Sequence, residues 1–370
     1  MVLMFAICKI RIMKTKTLSL WMILAIVGIH QTADSCTGIT LQSNDGANIV
    51  ARTVEWASGE SPSDYLIVPE GYSKQSVLPD GTKDGMKYTA LYGYVGLASE
   101  DYVIEGLNEA GLSAGLFYFP KYGSYPKYNP SQKNVTISDT ELVAWILGNF
   151  ESVEDVISGL SIIRVVSTDA RAETLHWRVA DKFGRQIVIE YIDGIPMVHD
   201  NKLGVLTNSP AYDWHITNLN NYIDLQPGTA TAHEFGDITL SPIGHGSNLL
   251  GLPGDMTPPS RFVRAAFYQT SAPIMANAEE AVNQAFVILK AMTIPIGSQF
   301  NDKSKIPNIP SATQWTSVSD TTNNKIYYTT MYNPIIRKFD LNNIDFTTVP
   351  YQQHPLDTDK TPPMIDVKVN

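Results

Sequence analysis

Apolar and polar positions interleave through residues 39–42 and return over 49–56, with Asn44-Asp45-Gly46 between the two runs. A strand-like pattern on either side of Asn-Asp-Gly turn chemistry predicts a β-hairpin over residues 36–56. Its return strand runs back toward Cys36 and carries Arg52 and Glu55 with it. Taken alone, those two charges read first as a plain ion pair. Residues 65–70, 87–98 and 102–119 read as further strands. Gly111 and Gly115 fall inside the last run, where glycine often marks a bulge or a close backbone approach. Aromatic residues crowd this region, from Tyr88 through Phe117, Tyr118 and Phe119 to Tyr128, and suit either a core or the wall of an apolar pocket. Residues 120–130 read as a loop. The period changes over 139–160, where Leu142, Trp145, Ile146 and Phe150 recur at helical spacing. Ser152-Val-Glu-Asp155 then has the pattern of a capping box that opens a second helix. Strands return over 175–198, with a turn at Lys182-Phe183-Gly184, and over 203–208. Residues 211–260 read mostly as loops and short elements. Helices follow over 258–268 and 278–292, then strands over 315–318, 325–332 and 337–340. No internal repeat or low-complexity linker divides the chain, so residues 36–370 are expected to form one domain.

Residues 18–29 are apolar apart from a single Ser. That run is short for a membrane span of about 20 residues. It suits the core of a signal peptide, with Lys14 and Lys16 as the positive flank and Ala33 and Ser35 as the small residues of a cleavage site. Met13 is a natural start, which makes residues 1–12 an upstream extension. Removal of residues 1–35 would leave an exported chain, periplasmic or secreted, with no stable membrane anchor and with Cys36 first. Two alternatives stay open: the apolar run is kept as an anchor, or Cys36 is acylated and the chain is a lipid-anchored binding protein. Ala33 and Asp34 fit the lipidation pattern poorly.

A Cys at a new N-terminus joins a thiol and a free amine on one residue. The amine's unperturbed pKa is about 7.7–8.0, so near neutral pH part of it can accept a proton. The thiolate is the nucleophilic form, and nucleophile and base on one residue form the amine-activated arrangement. Only two cysteines occur, Cys8 and Cys36. Cys8 would leave with the leader, so the mature chain can form no internal disulfide, and its one thiol reads as reactive or intermolecular. The net charge of −10 speaks against nucleic acid as a partner. No histidine pair has metal-ligand spacing, and His233-Glu234 lacks the second His of HExxH. The run 244–248 lacks the GK[ST] ending of a P-loop. Neither a metal nor a cofactor is expected.

Five stretches resemble one family: Cys36-Thr-Gly38, Arg52-Thr-Val-Glu55-Trp56, Asn108-Glu-Ala-Gly-Leu112, Leu206-Thr-Asn208-Ser-Pro210, and the run from Leu252-Pro-Gly-Asp255 through Ser260-Arg261-Phe262. The chain is similar to the choloylglycine hydrolases, the N-terminal-nucleophile enzymes that include bile salt hydrolases and penicillin V acylases. The resemblance spans essentially all of residues 36–370. It implies an α+β fold, a four-layer αββα sandwich of two antiparallel sheets between helix layers. It implies that Cys36 attacks an amide carbonyl and that its amine manages the proton. The oxyanion donors would be Asn208 and the backbone N–H near Tyr118, with Arg52 and Arg261 holding thiolate and amine in register. Glu55 would orient the amine, where many members carry Asp. Trp56, Phe117, Tyr118 and Tyr122 would wall the acyl pocket. Tyr118 stands where bile salt hydrolases often carry Asn and some penicillin V acylases carry Tyr. The family further suggests a homotetramer acting on a small amide substrate, a bile salt conjugated to glycine or taurine ahead of penicillin V.

Overall fold

The structure is a computed structural model that describes residues 35–56, 59–100, 102–169, 173–298 and 311–369. Apart from Ser35, the expected export leader lies outside these residues. The hairpin forms as its pattern requires. Strands β1 (Ser35–Gln42) and β2 (Asn48–Glu55) pair antiparallel, with Cys36 opposite Val54 and Gly38 opposite Arg52. Gly46 closes the turn at φ +89°, where an L side chain would be strained.

Next come β3 (Ser63–Val68), β4 (Tyr94–Ser99), β5 (Tyr102–Asn108) and β6 (Ser113–Tyr118). The run 87–98 thus splits: its start, Lys87–Thr89, pairs with Ser73–Gln75 in a separate two-stranded ribbon. The run 102–119 also splits, into a hairpin that turns at Gly111 with φ +87°. Residues 175–198 give three strands, β7 (Leu175–Ala180), β8 (Gln186–Ile192) and β9 (Ile195–Asp200). The C-terminal part adds β10 (Thr313–Asp320), β11 (Lys325–Thr330), β12 (Arg337–Asp340) and β13 (Gln352–Pro355). Two sheets result, ordered β1-β2-β10-β11-β12 and β9-β8-β7-β6-β5-β4-β3-β13. Every pairing within them is antiparallel.

Residues 203–208 are not a strand but touch β1 through one bridge. Gly38 N–H donates to the Leu206 carbonyl at 2.7 Å, and Leu206 N–H returns to Gly38 at 3.2 Å. Gly204 turns the chain at φ +76° just before this bridge. Just after it, Pro210 has no N–H to extend a ladder.

Helices α1 (Leu142–Asn149) and α2 (Val153–Leu160) cover the outer face of the eight-stranded sheet, with Leu142, Ile146 and Leu147 in one core with Ala114, Leu116, Trp177 and Val179. Ser152 caps α2, its hydroxyl accepting the Asp155 N–H at 3.2 Å. A short helix α3 (Tyr212–Asn218) follows the bridge. Helices α4 (Pro258–Ser271) and α5 (Ala278–Lys290) cover the other sheet, where Phe262, Ala265, Ala285 and Leu289 meet Ile39, Ile49, Ala51 and Val318. Between the sheets, Val95, Leu97 and Leu107 face Trp315, Ile326 and Tyr328. The order helix, sheet, sheet, helix is the four-layer αββα sandwich. Alternation along β6 sends Leu116 and Tyr118 to the helix side and Gly115 and Phe117 between the sheets. That inner space carries charge as well as apolar groups. A Cβ on Gly115 would run into the Glu105 carboxylate and come within 3.3 Å of Arg52 Nη1. Gly115→Ala should therefore lower stability by about 1–3 kcal/mol. Urea unfolding of the two proteins checks this, and an unchanged midpoint would contradict it.

Candidate active site

Cys36 lies in β1 with 5% of its surface exposed. Its N–H donates to Asn208 Oδ1 at 2.9 Å. Its carbonyl accepts from Arg261 Nη1, which also donates to Thr37 Oγ1 at 2.8 Å. Arg261 Nη2 donates to the same Asn208 Oδ1 at 2.7 Å. Two donors on one oxygen fix which way the Asn208 amide faces. Its Nδ2 then donates to the Tyr118 carbonyl at 2.8 Å and keeps a second N–H. Three distant segments thus meet at Cys36: β1, the 206–210 bridge segment and the first turn of α4. The helix starts where Pro258 and Pro259 occupy first-turn positions that need no N–H partner.

Arg52 projects from β2 between the sheets. Its guanidinium lies 3.9 Å from the centre of the Phe117 ring and donates to the Leu116 carbonyl. The carboxylate facing it is Glu105, 3.5 Å away. Arg178 approaches the same carboxylate at 3.5 Å and donates to the Ala51 carbonyl at 3.0 Å. All three side chains are fully buried. Glu105 and Arg178 escaped the sequence reading, although each is a charge set within an otherwise apolar strand. Glu55 takes the Thr313 hydroxyl on Oε1 at 3.0 Å, and its backbone stands opposite Ser35 in the hairpin register. Glu55 Oε2 and Arg52 Nη2 are buried with no hydrogen-bond partner.

A cavity of about 150 Å³ opens beside this cluster. Trp56, Pro62, Ile104, Leu116, Tyr118 and Leu175 give it apolar walls, and Glu60, Glu100 and Asp169 also line it. Cys36 does not line the cavity; Tyr118 does, and its carbonyl accepts from Asn208 of the cluster. Phe117, expected on the wall, is turned away by strand alternation and lies under Arg52. Tyr122, also expected there, is half exposed and absent from the lining.

Residues 36–359 match the family model of linear amide C–N hydrolases, choloylglycine hydrolase family. The chain belongs to the choloylglycine hydrolase family. It is a hydrolase of linear amide C–N bonds. The bile salt hydrolase/transferase of Clostridium perfringens is 33% identical over 324 residues, 84% of this chain and 94% of that protein. The penicillin V acylase of Pectobacterium atrosepticum is 28% identical over 326 residues, 80% of this chain and 78% of that protein. The crystal structure of a mutant conjugated bile acid hydrolase from Clostridium perfringens has a TM-score of 0.77 at 29% identity, covering 90% of this chain and all (100%) of that one.

The hydrolase holds its charges under tension. Burial pushes the Glu55 carboxyl up to about 7, against the pull of Arg261 and of the Thr53 and Thr313 hydroxyls. Burial also brings Arg178 down to about 10, with Glu105 opposing the change, so it stays cationic at neutral pH. The raised Glu55 pKa sets a sign. While Ser35 remains bonded to Cys36, the native state binds a proton at Glu55 that the unfolded chain gives up near 4.5. Its contribution is fully present below 4.5 and is lost as pH rises through about 7. The total is about 3 kcal/mol. Glu55→Gln in that uncut chain should flatten the stability curve between pH 5 and 8, read by urea unfolding at each pH. Parallel curves for the two proteins would contradict it.

Proposed function

We propose that this hydrolase is exported and cleaves the amide between a bile acid and glycine or taurine, with Cys36 as its N-terminal nucleophile. The observation that carries the reading is the buried cluster Cys36–Asn208–Arg261 beside an apolar cavity. Removal of residues 1–35 converts the Cys36 amide nitrogen to a free amine. The amine takes the thiol proton, the thiolate attacks the amide carbonyl, and the C–N bond breaks as that proton passes to the leaving nitrogen; water then hydrolyses the thioester and frees the thiol. The second N–H of Asn208 Nδ2 and the backbone N–H near Tyr118 receive the developing oxyanion. Losing one such donor costs about 100- to 1000-fold in rate. Arg261 holds the Cys36 carbonyl and Asn208 together, Arg52 supplies positive charge between the sheets, and Glu55 offers its unpartnered oxygen to the new amine. The family match that begins at Cys36 supports this start for the mature domain, 36–370.

Conjugated bile salts lead because the cavity has the apolar wall an acyl body needs and the bile salt relative is the more similar. Penicillin V is the second reading, favoured by one feature: Tyr118 lines the cavity and offers a ring on which a phenoxy group would stack. A homotetramer is proposed with it. An arm around Phe235, Ile238, Ile243 and Leu250 stands 65–99% exposed, an apolar surface that suits a further copy of the chain.

Cys36→Ser should fold and lose nearly all turnover, and so should a chain with one uncleavable residue ahead of Cys36. Full activity in the extended protein would remove the amine from the mechanism. Intact mass of the mature protein should show an unmodified N-terminal Cys; an added diacylglycerol would sink the proposal in favour of a lipid anchor. On a substrate panel, kcat/KM for glycine- or taurine-conjugated bile acids should exceed that for penicillin V. The reverse order would move the assignment to the acylase. Light scattering should give four times the chain mass, falling on Phe235→Asp with Ile238→Asp.

A further inference from the structure

The backbone of Asn208 is not held by a ladder. Residues 203–208 contribute only one bridge to β1, so ladder bonds do not fix its backbone beyond Leu206. Two buried imidazoles stand on either side of it. His176 Nε2 lies 3.1 Å from the Thr207 carbonyl, and His215 Nε2 lies 2.8 Å from the Asn208 carbonyl. These carbonyls belong to the two peptide planes that flank the Asn208 Cα. Holding both planes sets the direction of its side chain.

Each imidazole is itself held. His176 stacks on Phe119, with ring centres 4.6 Å apart, and its Nδ1 lies 3.1 Å from Glu190 Oε1. Both ring nitrogens of His176 thus face oxygen atoms. The same Glu190 oxygen accepts the Tyr212 N–H at 3.0 Å, at the first residue of α3. That helix carries His215, which stacks on Phe262 at 4.7 Å. Glu190 therefore anchors one imidazole directly and the helix of the other. The half-buried His199 lies 3.3 Å from its second oxygen. Burial alone would raise the Glu190 carboxyl, but its histidine contacts outweigh that and bring it to about 2. Burial lowers His215 to about 4, so it is neutral near pH 7 and its one N–H is available to Asn208.

We propose that His176 and His215 are positioning residues, tied together by Glu190, that aim Asn208 at the carbonyl Cys36 attacks. The proposal rests on the oxyanion role given to Asn208 above. Small displacements of an aligned group cost up to about 100-fold in rate, while binding of the acyl body to the cavity does not involve these residues. His176→Phe and His215→Phe keep the ring stacks and remove the donors.

The experiment is a double-mutant cycle on the mature enzyme, with rates expressed per titratable Cys36 thiol so that misfolded protein does not count. Each histidine variant should lose about 10- to 100-fold in kcat with KM changed less than about threefold. In an Asn208→Ala background the same substitutions should cost nothing further, because no aimed donor remains. His176→Gln, whose amide can still reach the Thr207 carbonyl, should recover most of kcat. His176→Phe removes the buried imidazole beside Glu190; if it fails to fold, the neutral His215→Phe and its pairing with Asn208→Ala carry the test. Losses that multiply in the double variants, or wild-type kcat in His215→Phe, would overturn the positioning role alone. Wild-type kcat in Asn208→Ala would overturn the oxyanion reading and this inference with it.

Discussion

One guanidinium, that of Arg261, ties the site together. It binds the Cys36 carbonyl, the Thr37 hydroxyl and the Asn208 side-chain oxygen, and its Nε donates to the Met256 carbonyl at 3.0 Å. These partners come from β1, the bridge segment and the approach to α4. A buried cation is costly, by several kcal/mol after relaxation, unless its N–H groups are met. Here they are met by neutral oxygens. Burial accordingly lowers the Arg261 pKa, while the charges of Glu55 and Cys36 oppose that shift. The planar fork of an arginine does this as a lysine could not, because several donors leave it in fixed directions. The four-layer sandwich supplies the scaffold, since β1 is the sheet edge that both α4 and the bridge segment can reach.

The space between the sheets explains the remaining charges. Elsewhere it is a dry apolar core of Val95, Leu97, Leu107 and Trp315. Beneath Cys36 it holds Arg52, Arg178 and Glu105 instead. Two cations against one carboxylate leave a net positive charge there, which favours an anion nearby. Gly38 and Gly115 make the room: a Cβ on Gly38 would come within 2.7 Å of Arg178 Nη1. A hydrophobic filling would pack as well and be cheaper to bury. On the proposed reading, the charge is kept for the thiolate above it.

What the sequence disclosed follows the range of each interaction. The 36–56 hairpin, the α2 cap and the helix at Pro258 were readable because turn and cap chemistry is local. The run 102–119 looked continuous because its hairpin turn needs only Gly111 and few polar residues. Residues 203–208 looked like a strand by composition, yet Gly204 and Pro210 limit them to one bridge. Asn208 and Arg261 lie 172 and 225 residues from Cys36, and no periodicity links them. They were found through the family's motifs. Phe117 was placed on the pocket wall because it sits in an aromatic triplet, though the period of two puts it on the face opposite Leu116 and Tyr118. Glu105, Arg178 and the His176–Glu190 pair needed tertiary structure, because each partner lies on another strand.

The same geometry bears on what cleavage after Ser35 changes. The Cys36 nitrogen already donates to Asn208 Oδ1 while it is still an amide. Cys36, Asn208 and Arg261 therefore stand in register with the Ser35–Cys36 bond intact. On the proposed reading, breaking that bond need not build the site; it alters the electronic state of one nitrogen. As an amide, that nitrogen has no basic lone pair and cannot manage a proton. As an amine it can, on that reading, and its charged form is the cation that Glu55 would orient. A cation beside Glu55 also reverses the balance that raises its pKa, because opposite charge favours the carboxylate. One bond cleavage, on the proposed reading, supplies the base missing at Cys36 while Cys36, Asn208 and Arg261 keep the register they already have.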